Sequence, residues 1–172
     1  MAKKKLGTEE SDSYTGSKKS NAYDGLGGHD TISGMGGNDK LWGGLGNDGI
    51  LGGDGNDRIW GGEGFDIING GAGNDVLSGG TETDAFIFVA GGGKYAPGSD
   101  VDIITDINTS GEDMDDIQIM NLMQPIDSFD DIMKYAKQDG KDVRIDFKFG
   151  DVLILEGVKK SELSAELFMF EG

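Results

Sequence analysis

Nine-residue units follow one another in a single register from residue 7 to residue 87. Gly43-Gly44-Leu45-Gly46-Asn47-Asp48-Gly49-Ile50-Leu51 sets the frame, and residues 52–60, 61–69 and 70–78 repeat it as GGxGxDxUx, where U is a large apolar residue. Residues 79–87 keep the frame with Glu82 in place of the third glycine, and residues 25–33 and 34–42 keep it with Leu26 and Met35 in place of the second. Two upstream units, 7–15 and 16–24, retain only the first glycine, Asp12 or Asn21 at place six, and Tyr14 or Tyr23 at place eight. A flexible glycine-rich linker has no reason to hold an aspartate and an apolar residue in phase.

The spacing has a direct physical reading. Glycines at places one, two and four permit tight turns and close backbone approach. The next three residues, such as Arg58-Ile59-Trp60, suffice for a very short strand whose middle side chain faces one way and whose neighbours face the other. Turn and strand alternate, so the chain must coil, with two units making each full coil. Asp30, Asp48, Asp66 and Asp84 then stack in one column of turns and Asp39, Asp57 and Asp75 in the opposite one. Carboxylates at the strand spacing of about 4.8 Å repel one another unless a cation lies between them. Each pair, with nearby turn carbonyls, offers the shell of about six oxygens that Ca²⁺ prefers and that suits Mg²⁺ less well.

Charge points the same way. The formal net charge is -17 and the pI about 4.2, which argues against nucleic acid and anionic membranes as partners and for cations. The absence of cysteine excludes disulfides and thiolate zinc sites. The N-terminal MAKKKLGTEESDSYTG has no apolar run of the length a Sec-type signal requires. No stretch approaches the roughly 18 apolar residues of a membrane span.

Residues 25–87 resemble the repeats-in-toxin (RTX) family of secreted bacterial proteins, whose nonapeptides form a parallel β-roll on calcium. The resemblance implies an all-β fold: a right-handed parallel β-roll with two nonapeptides per coil, closed by a mixed, mostly β C-terminal cap. It also implies a ligand set, in which places two and four and the aspartate of one turn face places one and three and the aspartate of the turn one coil on. One column would pair Leu26, Gly28 and Asp30 with Gly43, Leu45 and Asp48. It continues with Gly44, Gly46 and Asp48 against Gly61, Glu63 and Asp66, and Gly62, Gly64 and Asp66 against Gly79, Thr81 and Asp84. The other would pair Met35, Gly37 and Asp39 with Gly52, Asp54 and Asp57, then Gly53, Gly55 and Asp57 with Gly70, Ala72 and Asp75. Five Ca²⁺ ions are expected. Leu26 and Met35 would supply carbonyls only, straining the turn more than changing the ligands. Sites pairing Asp12 with Asp30 or Asn21 with Asp39 lack glycines and are not counted.

The nine-residue period stops at Phe88. The chain is expected to divide into degenerate repeats over 1–24, the roll over 25–87 and a cap over 88–172. In the cap, residues 98–122 read as two short strands. Residues 127–140 read as a helix with Ser128 as N-cap, Asp131 at the capping-box position and Gly140 just past the end. Residues 141–158 read as a hairpin turning at Gly150-Asp151, and the chain closes with a helix or turn and an aromatic strand. DIITDIN and LEGVKKSEL…FMF resemble the segment after the roll in serralysin-type type I secretion substrates, which implies a cap carrying an uncleaved export signal, hence type I machinery as a partner and an extracellular location.

No catalytic constellation is expected. There is no HExxH, no GxSxG and no cysteine nucleophile. His29, the only histidine, reads as a solvated turn residue, and Asp113, Asp115, Asp116, Asp130 and Asp131 read as solvated charge. Asp100 and Asp102 are candidates for completing an ion site at the end of the roll. Places seven and nine face outward, so Lys40, Trp42, Arg58 and Trp60 should form a small basic and aromatic island. Such a surface suits an acidic polysaccharide such as alginate, whose bacterial epimerases also carry RTX rolls; covering by the C-terminal half or another chain is the alternative.

Overall fold

The computed structural model describes residues 3–90, 100–121, 126–147 and 150–170. Its roll is built by β1 (Lys5–Leu6), β2 (Ser13–Ser17), β3 (Ala22–Gly27), β4 (Thr31–Gly36), β5 (Lys40–Leu45), β6 (Gly49–Asp54), β7 (Arg58–Glu63), β8 (Ile67–Ala72), β9 (Val76–Thr81) and β10 (Ala85–Ala90). Odd-numbered strands stack in one sheet and even-numbered ones in the other. Every pair within these stacks is parallel, and partners stand two repeat units apart, as in Leu41↔Ile59 and Ile50↔Ile68. This is the expected parallel roll.

The strands are longer than the three residues expected. Each of β3 to β9 runs through places seven to nine and on through places one to three of the following unit, so Gly44 pairs with Gly62 and Leu45 with Glu63. The glycine pair stays inside the parallel ladder, and the turn is confined to places four to six. Place eight faces inward, burying Leu41, Ile59 and Leu77 from one sheet and Ile32, Ile50, Ile68 and Phe86 from the other. At the upstream end Tyr14 and Tyr23 stack with ring centroids 4.0 Å apart. One large apolar side chain per repeat unit makes a thin core, and most of its other buried side chains are aspartates.

The cap extends both sheets. β11 (Val101–Ile104) pairs parallel with β9, and β12 (Asp116–Asn121) pairs parallel with β10. Helix α1 (Phe129–Tyr135) starts at Ser128, whose side chain accepts from the Asp131 N–H. It ends earlier than expected: β13 (Ala136–Asp139) leaves it to pair antiparallel with β14 (Asp142–Asp146). Burial of Ala136 and that pairing override helical propensity, and Gly140 (φ +64) serves the β13–β14 turn instead. β14 returns antiparallel into β15 (Val152–Leu155), which joins β11, and β16 (Phe168–Phe170) joins β12. Ile132, Val143, Ile145, Leu153, Leu155 and Leu167 continue the core of the roll into the cap. Among the described residues no helix is long and apolar enough to cross a membrane.

Candidate metal centre

The place-six aspartates form two continuous ladders. In the first, each backbone N–H donates to Oδ1 of the next aspartate: Asp30 to Asp48 at 2.7 Å, Asp48 to Asp66 at 2.8 Å and Asp66 to Asp84 at 3.0 Å. In the second, Asp39 donates to Asp57 at 2.7 Å and Asp57 to Asp75 at 2.8 Å. The second oxygen has no such partner. Oδ2 of Asp30, Asp39, Asp48, Asp57, Asp66 and Asp75 is buried with no hydrogen-bond partner. A buried carboxylate oxygen without a donor carries its full desolvation penalty, and six in register are not an accident of packing.

The backbone oxygens expected beside these aspartates are placed with them. The Gly43, Gly52, Gly61, Gly70 and Gly79 carbonyls lie against the place-one glycine of the coil before, next to that coil's own Oδ2. Asp48 Oδ2 and the Gly61 carbonyl, for example, both lie where a Cβ on Gly43 would be. Place-two and place-four carbonyls project the other way, onto the next coil: Leu26, Gly28, Met35, Gly37, Gly44, Gly46, Gly53, Gly55 and Gly62 each lie against the equivalent glycine one coil on. A side chain at Gly46 would meet the Gly28 carbonyl, and its φ of +108 disfavours one independently. Leu26, Met35 and Glu82 adopt φ of 76, 74 and 75 at the glycine positions they occupy, so the turn geometry holds even where it strains the residue.

The place-three carbonyls of Asp54, Glu63, Ala72 and Thr81 accept from the N–H of Gly37, Gly46, Gly55 and Gly64, at 2.7 Å for the first three and 3.4 Å for Thr81, which leaves each a second lone pair. Among the described residues no three carboxylate or imidazole groups converge on one point. Two aspartates and a set of carbonyls therefore make up each candidate centre, which suits a hard, oxygen-seeking divalent cation.

Electrostatics give the same answer. Burial, with the like charges of neighbouring aspartates adding to it, raises the carboxyls of Asp48 and Asp57 to about 6, Asp75 and Asp84 to about 7, and Asp66 to about 8. Asp30 and Asp39 are also raised, chiefly by burial. No Lys or Arg side chain bridges to any of these seven in the described ion pairs.

Both ladders outrun the repeat. Asp75 N–H donates to Asp102 Oδ1 at 3.0 Å and Asp84 N–H to Asp115 Oδ1 at 2.9 Å. Burial and the Asp75 charge raise Asp102 to about 8. Asp100 stands just before the same strand, its carbonyl accepting from Val152 N–H at 2.8 Å, and its charge adds to the rise at Asp75 and Asp102. Asp115 corrects an expectation: it is 3% exposed, not solvated, and its Oδ2 accepts from Asn108 N–H at 2.7 Å. The signal was legible, because Asp102-Ile103-Ile104 and Asp115-Asp116-Ile117 keep the D-x-U half of the consensus without its glycines. His29 is exposed as expected, yet its Nδ1 accepts from Asn47 N–H at 2.8 Å; Asn47 carries that file on to Phe65, and Asn38, Asn56 and Asn74 form the equivalent file in the opposite column.

The outward-facing island forms as laid out. Lys40 pairs with Arg58 and Trp42 with Trp60, the indoles stacking at 4.8 Å with 6° between planes. Lys4 Nζ sits 4.4 Å above the Trp42 ring and pairs with Asp24.

Comparison with known proteins agrees with this architecture. The crystal structure of extracellular lipase LipA from Serratia marcescens aligns with 99% of this chain at a TM-score of 0.54 and 15% identity. This chain spans 40% of that one. The solution structure of the AlgE6R3 subunit from the Azotobacter vinelandii mannuronan C5-epimerase aligns with 81% of this chain and 78% of its own, at a TM-score of 0.54 and 27% identity. A search of curated proteins found no match. The family model for the RTX calcium-binding nonapeptide repeat (4 copies) matches residues 15–50, 24–59 and 51–85. Residues 15–85 therefore match the RTX calcium-binding nonapeptide repeat, and the fold is the one these comparisons share.

Proposed function

We propose that this chain is an extracellular protein whose roll orders on calcium after export through type I secretion machinery, and that it has no reaction of its own. The six buried, donorless Oδ2 atoms carry the reading: the folded roll is unfavourable until positive charge enters between its coils. The assigned ligands are the five sets named above, with residues 25–87 as the roll, the upstream units as its degenerate start and residues 88–172 as cap and export signal. Asp75 and Asp102 would form a sixth site. Bound calcium would supply the charge and oxygen coordination that the protein lacks there.

Linkage follows from these residues. Without the ion the turns hold mutually repelling carboxylates over a thin core, too little to offset chain entropy. Each ion held only by the folded form adds RT ln(1 + [L]/Kd). Extracellular modules commonly bind at roughly 10⁻⁴ to 10⁻³ M, so the chain would remain unfolded at cytosolic calcium and order outside. A calcium titration of the chelated protein, followed by far-UV circular dichroism and calorimetry with magnesium as control, tests this. A coil-to-β transition with calcium alone is the expected result; a chain equally structured without it refutes the reading.

One observation favours a second role, binding of an acidic polysaccharide. Stacked Trp42 and Trp60 with Lys4, Lys40 and Arg58 give flat apolar rings beside cations on an acidic protein, and Lys40 and Arg58 also line a groove with Asn38, Asn56 and Asn74, where Asp39 and Asp57 stand beside them. The likeness to a mannuronan epimerase subunit supports the same idea. Calcium-dependent retention on alginate, lost in the Trp42→Ala, Trp60→Ala double variant, is the expected outcome; retention unaffected by the substitutions counts against it.

A further inference from the structure

Asn21 holds place six of unit 16–24, where every later unit of the roll has aspartate. Its Nδ2 lies against Gly16 beside the Gly34 carbonyl, just as Asp48 Oδ2 lies against Gly43 beside the Gly61 carbonyl. The nitrogen thus stands where the other units place their donorless oxygen. Its two hydrogens face four acceptors: the Lys19 carbonyl, the Ser17 and Gly34 carbonyls at 3.3 Å each, and Asp39 Oδ1 at 3.0 Å. Ser17 and Lys19 are places two and four of their unit, Gly34 is place one of the unit one coil on, and Asp39 is its place six. These are the oxygens that, in the later coils, are assigned to calcium.

All four neighbours accept and none donates, so the group facing them has to be the NH₂. The amide oxygen is turned the other way and accepts from Ser17 Oγ at 3.2 Å. Charge is relieved as well, since the Asn21 and Asp39 pair carries one negative charge where Asp48 and Asp66 carry two.

We propose that the Asn21 side-chain amide takes the place of a calcium ion at the first turn of its column, so that the site between coils 16–24 and 34–42 is closed by the chain itself and binds no metal. This rests on the calcium reading of the later coils. It gives the roll an upstream rung that is complete without the ion, against which unit 34–42 can pair before any calcium arrives.

Calcium per chain, counted by equilibrium dialysis and atomic emission at saturating calcium, tests the assignment in Asn21→Asp against the parent. The variant regains a carboxylate in an intact oxygen cage and should bind one more ion per chain, with a larger loss of β signal in chelator. Equal counts in two folded proteins overturn this inference alone; no calcium on either protein overturns it together with the calcium reading. Should Asn21→Asp not fold, the parent decides by NMR. Slow exchange of the Asn21 side-chain amide protons in the calcium-loaded protein is the result expected, and free exchange with solvent overturns the assignment.

Discussion

Asp66→Asn is the perturbation whose effect should change sign with calcium. Asp66 stands inside the first ladder, accepting from Asp48 N–H at 2.8 Å and donating its own N–H to Asp84 Oδ1 at 3.0 Å. It therefore belongs to two of the proposed sites. Asparagine keeps the shape and one acceptor oxygen while removing the charge. With calcium at a hundred times Kd each ion contributes about 2.7 kcal/mol, so losing two costs about 5 kcal/mol. That equals the lower end of the roughly 5–15 kcal/mol that stabilises whole domains. In calorimetry it corresponds to a fall of roughly 10–20 °C in Tm for a chain of this size. Without calcium the sign reverses, because the substitution removes a carboxylate that burial has raised to about 8 and puts an NH₂ among acceptor oxygens. The variant in chelator should then retain as much β signal as the parent, or more. An equal loss with and without calcium would show that Asp66 acts through packing alone, and an unchanged Tm in calcium would refute the shared-site argument.

Further predictions concern the turns, the end of the ladder and pH. Gly46→Ala puts a Cβ against the Gly28 carbonyl at φ +108 and should cost about 1–3 kcal/mol or more by urea unfolding in calcium. Gly49→Ala, whose Cβ would meet nothing nearer than the Asp30 carbonyl at 3.9 Å, should be within about 1 kcal/mol of the parent. Asp102→Asn leaves every repeat intact and should lower the calcium count by one ion. The raised aspartates hold protons more tightly folded than unfolded. The calcium-free roll is thus most stable below their ordinary value near 3.8, and that stability is lost as pH rises through about 6 to 8. Far-UV circular dichroism in chelator should show more β structure at pH 4 than at pH 8; the reverse trend would contradict the burial of these groups.

The repeat was legible because one side chain type at a fixed place does one job in every unit. Place eight is apolar and buried in the roll, and place six is acidic and buried, so a period of nine carries both the fold and the candidate ligands. Strand length was less legible: glycine has low β propensity, yet Gly43 and Gly44 continue β5 because the coils on either side supply the ladder. Residues 136–139 follow the helical pattern locally but are claimed by β14, a partner that no local pattern announces. Asp102 lies 27 residues from the aspartate it meets, three units on and still in register, so it could be named from the sequence; Asp115 lies 31 residues from its partner, out of register, and a search in fixed register passes over it. Asn21 reads in sequence as a lost ligand; only the four acceptors around its nitrogen identify it as a substitute for one.

On the calcium reading, positive charge sits between the paired aspartates of successive coils. Anomalous scattering from a crystal of the calcium-loaded protein tests it most directly. Two files of peaks spaced by about one coil of roughly 4.8 Å are expected, one file between Asp30 and Asp48, Asp48 and Asp66, and Asp66 and Asp84, the other between Asp39 and Asp57, Asp57 and Asp75, and Asp75 and Asp102, with none beside Asn21. Peaks confined to the surface carboxylates of the cap, or an ordered roll with no peak between Asp48 and Asp66, would contradict it.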